Sequence, residues 1–472
     1  MNKLITTAIS YTNGDPHIGH LYEIILADFI KKIFELKYSK ETVKLLTGTD
    51  EHGKKIEESA KLNNIGTKEF CDINSKKFRD LYDKCNIDYD YFIRTTDDNH
   101  KELVKDSLIK SFNNCDIYLD TYEGWYNIRE ENFVSELEAK ETDFIDPISN
   151  KPYEKIKEES YYFKLSKYKD FIQDNLKIVV PLIDNFNNRL ENLKDLSISR
   201  TSFKWGIEFP FNSNHITYVW FDALLNYVTG AKKLGSKHEI YHLIGKDILW
   251  FHSVIYPAIL KSCKYEDFLP KKILVHGFVL DKNRQKMSKS LGNVIDVNYL
   301  LNKFNEESVR FYFLKNTKLG EDFVFNEDIL INDYNNILLK DYGNLIQRIH
   351  KLSIDIIFEI NSKFSEKEKS FITIYDKILD DFILDIDISK YFENVFNIIK
   401  ECNKDISEQE PWKKNKEERC EIITELLIKV KYINKLLYPI IPQKIREIEN
   451  IFDFGKNLNI STNKIKVFLP IK

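Results

Sequence analysis

The chain has little of what staples, spans or steers a fold. Six cysteines are present, and the two closest in sequence, Cys71 and Cys85, stand 14 positions apart, so no CxxC knuckle exists. That excludes the usual zinc spacing and fits a reducing compartment. No apolar run reaches the ~18 residues that a membrane span needs, because the most hydrophobic stretch, Tyr241 to Cys263, is cut by Lys246 and Asp247. A cytoplasmic chain without a membrane partner is expected, an organellar form being the alternative. Neither sign of charge prevails: 70 Lys and Arg face 74 Asp and Glu, a net of -4, so no global basic field announces nucleic acid. Met1 to Ser10 runs into Tyr11, Asn13, Gly14 and His17 with no small-residue cleavage site, and a removable leader is not expected. Repeats and low-complexity tracts are absent too. What the chain does have is length, since 472 residues at ~150 per domain suggest roughly three domains, enough to bury several cores.

Glycine is scarce as well, and its placement is informative. Among 15 glycines, about half the average frequency, Gly14, Gly19, Gly48, Gly53, Gly245, Gly277 and Gly292 fall beyond short apolar runs or in the loops after them. The runs are Lys3 to Tyr11, Thr42 to Thr47, Glu239 to Ile244 and Ile273 to Val279. Helical patterns follow the first three, at Leu21 to Phe34, Lys54 to Leu62 and Ile248 to Leu260. Strand, glycine turn and helix in repetition predict an α/β fold with a doubly wound parallel sheet, whose ligands sit beyond the carboxyl ends of the strands. Glycines also simply turn chains, so the motifs must decide. From Asp116 the pattern gives way to a segment rich in Glu, Lys, Asn and Tyr with turns at Asp146-Pro147 and Asn150-Lys151-Pro152, predicted as an inserted subdomain of strands and loops. After Phe325, heptad-like patterns over Ile329 to Phe358, Ile372 to Cys402 and Ile422 to Leu437 predict an all-α helical bundle. Between Ile331 and Lys472 it holds 23 basic and 23 acidic residues, so charge does not mark it as an RNA binder.

Two strings carry chemistry. His17-Ile18-Gly19-His20 opens the first helix, where two imidazoles and a helix N-terminus converge on an anion-sized space. Lys286-Met287-Ser288-Lys289-Ser290 lies in a polar loop after the last sheet-like strand, its lysines compact mobile charges suited to phosphate. For the histidines a helix cap or polar core pair stands as the other reading, and for the lysines a solvated loop.

Both strings, in this order around an insertion, resemble a class I aminoacyl-tRNA synthetase, and the chain is similar to the methionyl-tRNA synthetases from Thr6 to its last helices. The resemblance is carried by Tyr11 through His20, Thr47-Gly48-Thr49-Asp50-Glu51-His52-Gly53, Trp220 through Tyr227, Gly245-Lys246-Asp247-Ile248, His276-Gly277-Phe278 and the Lys286 to Ser290 string. It implies a Rossmann-like catalytic domain in halves 1–115 and 211–275, a connective insertion at 116–210, a loop and linking fold at 276–325, and a helical anticodon-binding domain at 326–472. It also implies an ATP-dependent ligase that makes methionyl-adenylate and transfers methionine to tRNA. By the same resemblance, His17, His20, Lys286 and Lys289 are catalytic, while Gly19, Gly245, Asp247, Ile248, Met287 and Ser288 bind ATP, with Mg²⁺ on the phosphates. Ile9, Tyr11, Asp50, Trp220, Ala223, Leu224, Tyr227 and His276 would bind L-methionine, Asp50 taking the ammonium group.

Spacing bears on the methionine pocket independently. Trp220, Ala223, Leu224 and Tyr227 fall at i, i+3, i+4 and i+7, one helical face, which reads either as a core stripe or as an aromatic wall for a thioether. In the bundle, Asn344 and Arg348 share a helix face, and Trp412 follows Pro411 at a predicted helix start. A surface hydrogen bond and hydrophobic docking are the bland readings, whereas the resemblance implies contacts to the CAU anticodon of tRNA(Met). The main departure is Gly124-Trp125-Tyr126-Asn127-Ile128-Arg129-Glu130, where Asn127 and Glu130 occupy the places of zinc-knuckle cysteines. Residues 116 to 210 contain no Cys or His at all. The expectation is therefore a zinc-free, bacterial or mitochondrial-type enzyme acting as a monomer, its insertion held by Trp125, Tyr126, Phe133, Tyr161, Tyr162 and Phe163. A catalytically inactive tRNA-binding or regulatory homologue is the rival, and it would be expected to lose one of the phosphate motifs.

Overall fold

The structure, a computed structural model, describes the chain apart from residues 129–131, 135, 148, 180–186, 236, 288–291, 455–457, 462–466 and 472. The first apolar run is not one strand: β1 (Asn2–Thr7) stops, and a short β2 (Ser10–Tyr11) resumes. Between them Ala8 and Ile9 leave the ladder and line a cleft. Then come α1 (Ile18–Lys37), β3 (Val43–Asp50), α2 (Lys54–Leu62), α3 (Thr67–Lys84), β4 (Tyr91–Arg94) and α4 (Asp98–Asn113). The insertion contributes β5 (Ile117–Asn127), β6 (Asn132–Val134), α5 (Glu136–Glu141), β7 (Glu154–Phe163), α6 (Lys169–Val179), α7 (Asn187–Glu191) and β8 (Leu196–Ser197). A ribbon of β9 (Ser199–Arg200) and β10 (Ile216–Thr217) leads back through α8 (Val219–Leu224) and α9 (Asn226–Lys233) to β11 (His238–Gly245), α10 (Tyr256–Ser262) and β12 (Pro270–His276).

The main sheet runs β12-β11-β1-β3, with β2 and β4 both on β3, and every pairing is parallel. The chain steps from β1 to β3 through α1 and later returns on the other side of β1 as β11. Strand order thus reverses at β1, and the carboxyl ends at Thr7, Asp50, Gly245 and His276 share one edge, where ligands of such sheets bind. Helix α1 is buried from Leu21 to Phe34 apart from Glu23, because it packs on β1 and β3 and also against two later helices, Glu306–Lys315 and Ile357–Asp385. Each fully buried Ile or Leu there contributes ~1.5 to 3 kcal/mol.

The insertion is built on an antiparallel sheet β6-β5-β7-β8, with Tyr126, Tyr161 and Phe163 buried and Trp125 and Tyr162 half-buried. It holds more helix than expected. In α6, Ile172 and Leu176 are buried four residues apart, a helical face that the acidic and basic neighbours hide in the sequence. Asn127 is buried at the end of β5 and pairs Asn132; Glu130 lies outside the described residues.

Beyond His276, β13 (Val279–Leu280) pairs β14 (Phe323–Val324) around α11 (Val297–Phe304) and α12 (Glu306–Lys315). The bundle comprises α13 (Glu327–Asp333), a π-helical stretch (Tyr334–Gly343), α14 (Asn344–Ser353), α15 (Ile357–Asp385), α16 (Ile388–Gln409), α17 (Lys416–Leu437) and α18 (Pro442–Glu449). Among the described residues it also carries a ribbon of β15 (Phe452–Phe454) with β16 (Leu458–Ile460). The pattern over Ile372 to Cys402 is two helices rather than one: Ile386 turns left-handed at φ 55°, and Asp387 caps α16 by accepting from the Lys390 amide at 3.0 Å. Periodicity misses the break because Ile386 and Ile388 are both buried on either side of it. Among the described residues no helix is long and apolar enough to cross a membrane.

Candidate active site

A cleft of about 590 Å³ opens at the carboxyl edge of the sheet. It is lined by Ile9, Tyr11, His17, Gly19, His20, Asp50, Trp220, Ala223, Leu224, Tyr227, Gly245, Asp247, Ile248, His276, Lys286 and Met287. Ser288 and Lys289 lie outside the described residues. Sequence reasoning missed Glu23, Lys55 and His252 and gave no role to Asn226 and Phe278, all of which line the same cleft.

The two motif histidines are helix caps and phosphate candidates at once. His17 Nδ1 accepts from the Gly19 amide and His20 Nδ1 from the His17 amide, each at 3.1 Å, and the rings stack 3.7 Å apart. An Nδ1 that accepts carries no proton, so both rings are neutral and hold their hydrogen on Nε2. Burial, together with the second imidazole, keeps His20 well below the usual histidine range. Gly19 leaves room for this cap, since a Cβ there would stand 3.0 Å from His17 Cε1 and the ring would have to shift.

At the ends of β11 and β12, His276 Nδ1 donates to the Gly277 carbonyl at 2.8 Å, and its Nε2 meets Glu23 Oε2 at 2.9 Å. Burial opposes charge on His276, but the Glu23 hydrogen bond and charge outweigh it and raise its pKa. Burial also raises the Glu23 carboxyl, so this pair retains a proton to higher pH than either group does in water. Gly245 turns under Asp247, whose Oδ1 would lie 2.7 Å from a Cβ.

The apolar end is lined from α8, α9 and the turn that follows β11. Trp220 stacks on Phe251 at 3.7 Å. His252 Nδ1 donates to the Ile248 carbonyl at 2.9 Å, which leaves Nε2 to accept from the Tyr227 hydroxyl at 2.7 Å. Burial lowers the His252 pKa to about 4, so the ring stays neutral. Asp50 ends β3 beside Glu51, which Arg94 holds through two hydrogen bonds at 2.7 and 2.9 Å. Below this wall, Asp222 bridges His52 at 2.6 Å and His100 at 2.8 Å, tying the Asp50 loop to α8. Lys286 rests on the Phe278 ring, 3.8 Å from its centroid.

A second groove lies in the bundle, lined by Lys340, Asp341, Asn344, Gln347, Arg348, Lys400 and Asn403. The Arg348 guanidinium is 6.0 Å from the Trp412 ring centre, and Trp412 is 50% exposed, so about half of its surface is open.

The family description "tRNA synthetases class I (M)" matches residues 3–142 and 137–350. A methionine-tRNA ligase of Campylobacter jejuni is 38% identical over 96% of this chain and 75% of its own length. The chain belongs to the methionyl-tRNA synthetase family. Another relative, the methionine-tRNA ligase of Mycoplasmopsis pulmonis, is 33% identical over 98% of this chain and 97% of that protein. Among solved structures, Mycobacterium tuberculosis methionyl-tRNA synthetase in complex with methionyl-adenylate matches with a TM-score of 0.84 at 32% identity, covering 96% of this chain and 94% of that one.

Proposed function

We propose that the chain is a cytoplasmic, monomeric methionine-tRNA ligase, which joins L-methionine to ATP as methionyl-adenylate and then passes methionine to tRNA(Met). What supports this is the gathering of the phosphate, nucleoside and amino-acid candidates around one cleft at the reversal point of the sheet. In the first step a methionine carboxylate oxygen attacks the α-phosphorus, forming an O–P bond while the bond to pyrophosphate breaks. Both reactants are anionic, so the work is positioning and charge stabilisation.

Asp50 takes the ammonium group, and Ile9, Tyr11, Trp220, Ala223, Leu224, Tyr227 and His276 enclose the rest of methionine, where sulfur gains from aromatic contact. Gly245, Asp247 and Ile248 hold the nucleoside, Gly19 leaves room for adenine, and Met287 and Ser288 flank the nucleotide. The Nε2–H groups of His17 and His20 donate to phosphate oxygens, and Lys286 and Lys289 neutralise the departing pyrophosphate. The described side chains assigned to that end are N–H donors and a cation, which suits Mg²⁺ carried on phosphate oxygens rather than on the protein. Bound there, the ion would spread the charge of the leaving group.

In the second step a hydroxyl of the terminal ribose attacks the methionyl carbonyl and AMP leaves. Asn344, Arg348 and Trp412 read the CAU anticodon, Trp412 by stacking. The insertion needs no zinc in this reading, having no Cys or His to bind it. Amino-acid-dependent pyrophosphate exchange across the twenty amino acids is the test. Methionine alone should support it; exchange with none of them would instead point to the inactive homologue.

A further inference from the structure

Helix α12 presents Glu307 and Arg310, one turn apart, to the bend between α17 and α18. Arg310 donates from Nε and Nη2 to the Pro439 carbonyl at 3.0 and 2.7 Å. Glu307 accepts from the amides of Gln443 at 2.6 Å and Lys444 at 3.0 Å, at the start of α18. Arg310 has a second partner, because Nη2 lies 2.5 Å from Asp28 Oδ2 in the middle of α1. Asp28 also pairs with Lys32 and accepts from the Asp88 amide at 3.0 Å. Both Arg310 and Asp28 are buried. Burial works against the Asp28 charge, but Lys32 and Arg310 outweigh it and hold the carboxyl at about 2.

One guanidinium therefore joins two long rigid elements. Helix α1 starts at the His17 and His20 cap. Helix α17 has 22 residues, a rod of roughly 33 Å; it begins just after the turn that holds Trp412 and ends just before Pro439. Its far end is fixed laterally, Tyr342 donating to Asn434 at 2.5 Å and Tyr391 to the Leu436 carbonyl at 2.7 Å. A displacement at Trp412 has little slack in which to dissipate before it reaches Arg310.

We propose that Arg310, seated by Glu307, is a positioning residue that registers the anticodon end of the molecule on the catalytic end, so that contact at Trp412 is felt in the rate of charging. The inference rests on the tRNA reading above. Lysine keeps the charge opposite Asp28 but lacks the planar fork that serves Pro439 and Asp28 together. The test compares the parent, Arg310→Lys, Trp412→Ala and the double variant in charging full-length tRNA, in charging an acceptor minihelix without an anticodon, and in pyrophosphate exchange without tRNA.

Arg310→Lys should lower kcat/KM for full-length tRNA about tenfold, an ordinary coupling factor, with minihelix charging and exchange within about twofold of the parent. In the Trp412→Ala background it should cost nothing further. Losses that multiply in the double variant, or equal losses on tRNA and minihelix, would overturn the inference. If Arg310→Lys does not fold, as judged by its melt, Glu307→Ala, which removes both acceptors for the Gln443 and Lys444 amides, takes its place, and a loss that multiplies with Trp412→Ala has the same meaning. Full charging by Trp412→Ala alone would instead remove the anticodon reading, while exchange with methionine in the parent reports separately on the activity itself.

Discussion

Glu307→Gln should flatten part of the pH dependence of stability. Burial pushes the Glu307 carboxyl up to about 7 from its ordinary 4.5; the Glu306 charge adds to this, while the Gln443 and Lys444 amides and the Lys444 charge oppose it. Between those values the folded chain holds a proton that the unfolded chain has released, so stability falls as pH rises. The contribution is fully present below about pH 4.5 and lost above about 7. A span of about 2.5 pH units at ~1.4 kcal/mol each makes it roughly 3 to 4 kcal/mol, an upper bound for this one group. Glutamine keeps the shape and a carbonyl acceptor for the α18 amides but has no proton to lose. Urea midpoints at pH 5, 6, 7 and 8 should therefore diverge between parent and variant, the parent losing more stability toward pH 8. Hydrogen exchange at Gln443 and Lys444 reads the same event locally, with faster exchange at high pH in the parent after correction for the intrinsic rate. Parallel curves over the whole range would refute the reasoning.

Lys289→Ala should slow adenylate formation ~10²- to 10³-fold, the scale of losing a charge that acts on the transition state, with the melt unchanged; stopped-flow or exchange rates check this. Trp412→Ala should raise the KM for tRNA by the ~1 to 3 kcal/mol of one stacked base without moving the melting temperature, because the ring is half exposed; a fall in melting temperature would return it to the core. Chelation followed by restored Mg²⁺ should leave activity intact. Elemental analysis finding about one zinc per chain, removable only with loss of fold, would contradict the zinc-free reading of the insertion.

Strands β1, β3, β11 and β12 were legible because each belongs to a short apolar run with glycine in or just beyond it, whereas β4, with no glycine after it until Gly124, was not; the bundle was legible because its helices repeat their apolar positions. The insertion's helix α6 was not, since only Ile172, Leu176 and their neighbours mark its face. In the cleft, legibility followed chain proximity. His17, Gly19 and His20 form one string, and Trp220, Ala223, Leu224 and Tyr227 form one helical spacing, which α8 and α9 preserve across Leu225. His252 and Glu23 escaped notice because their partners are distant in sequence: Tyr227 lies 25 residues from His252, and His276 lies 253 residues from Glu23. Glu23 did carry a signal, one turn beyond His20 on α1. The relation between Arg310, Asp28 and Pro439 exists only in three dimensions, and no local pattern announces it.

The cap that opens α1 also divides the response to salt. His17 and His20 spend their Nδ1 atoms on their own helix and face the cleft as neutral dipoles. Dipoles act over a few ångströms, well inside the ~8 Å over which physiological salt screens charge. In the proposed site the ionic-strength dependence of nucleotide binding therefore comes from charged groups such as Lys286 and Lys55, which line the cleft, and not from the two histidines. In the proposed function the two motifs then differ in range, the lysines gathering the polyphosphate from a distance and the histidines orienting it on contact.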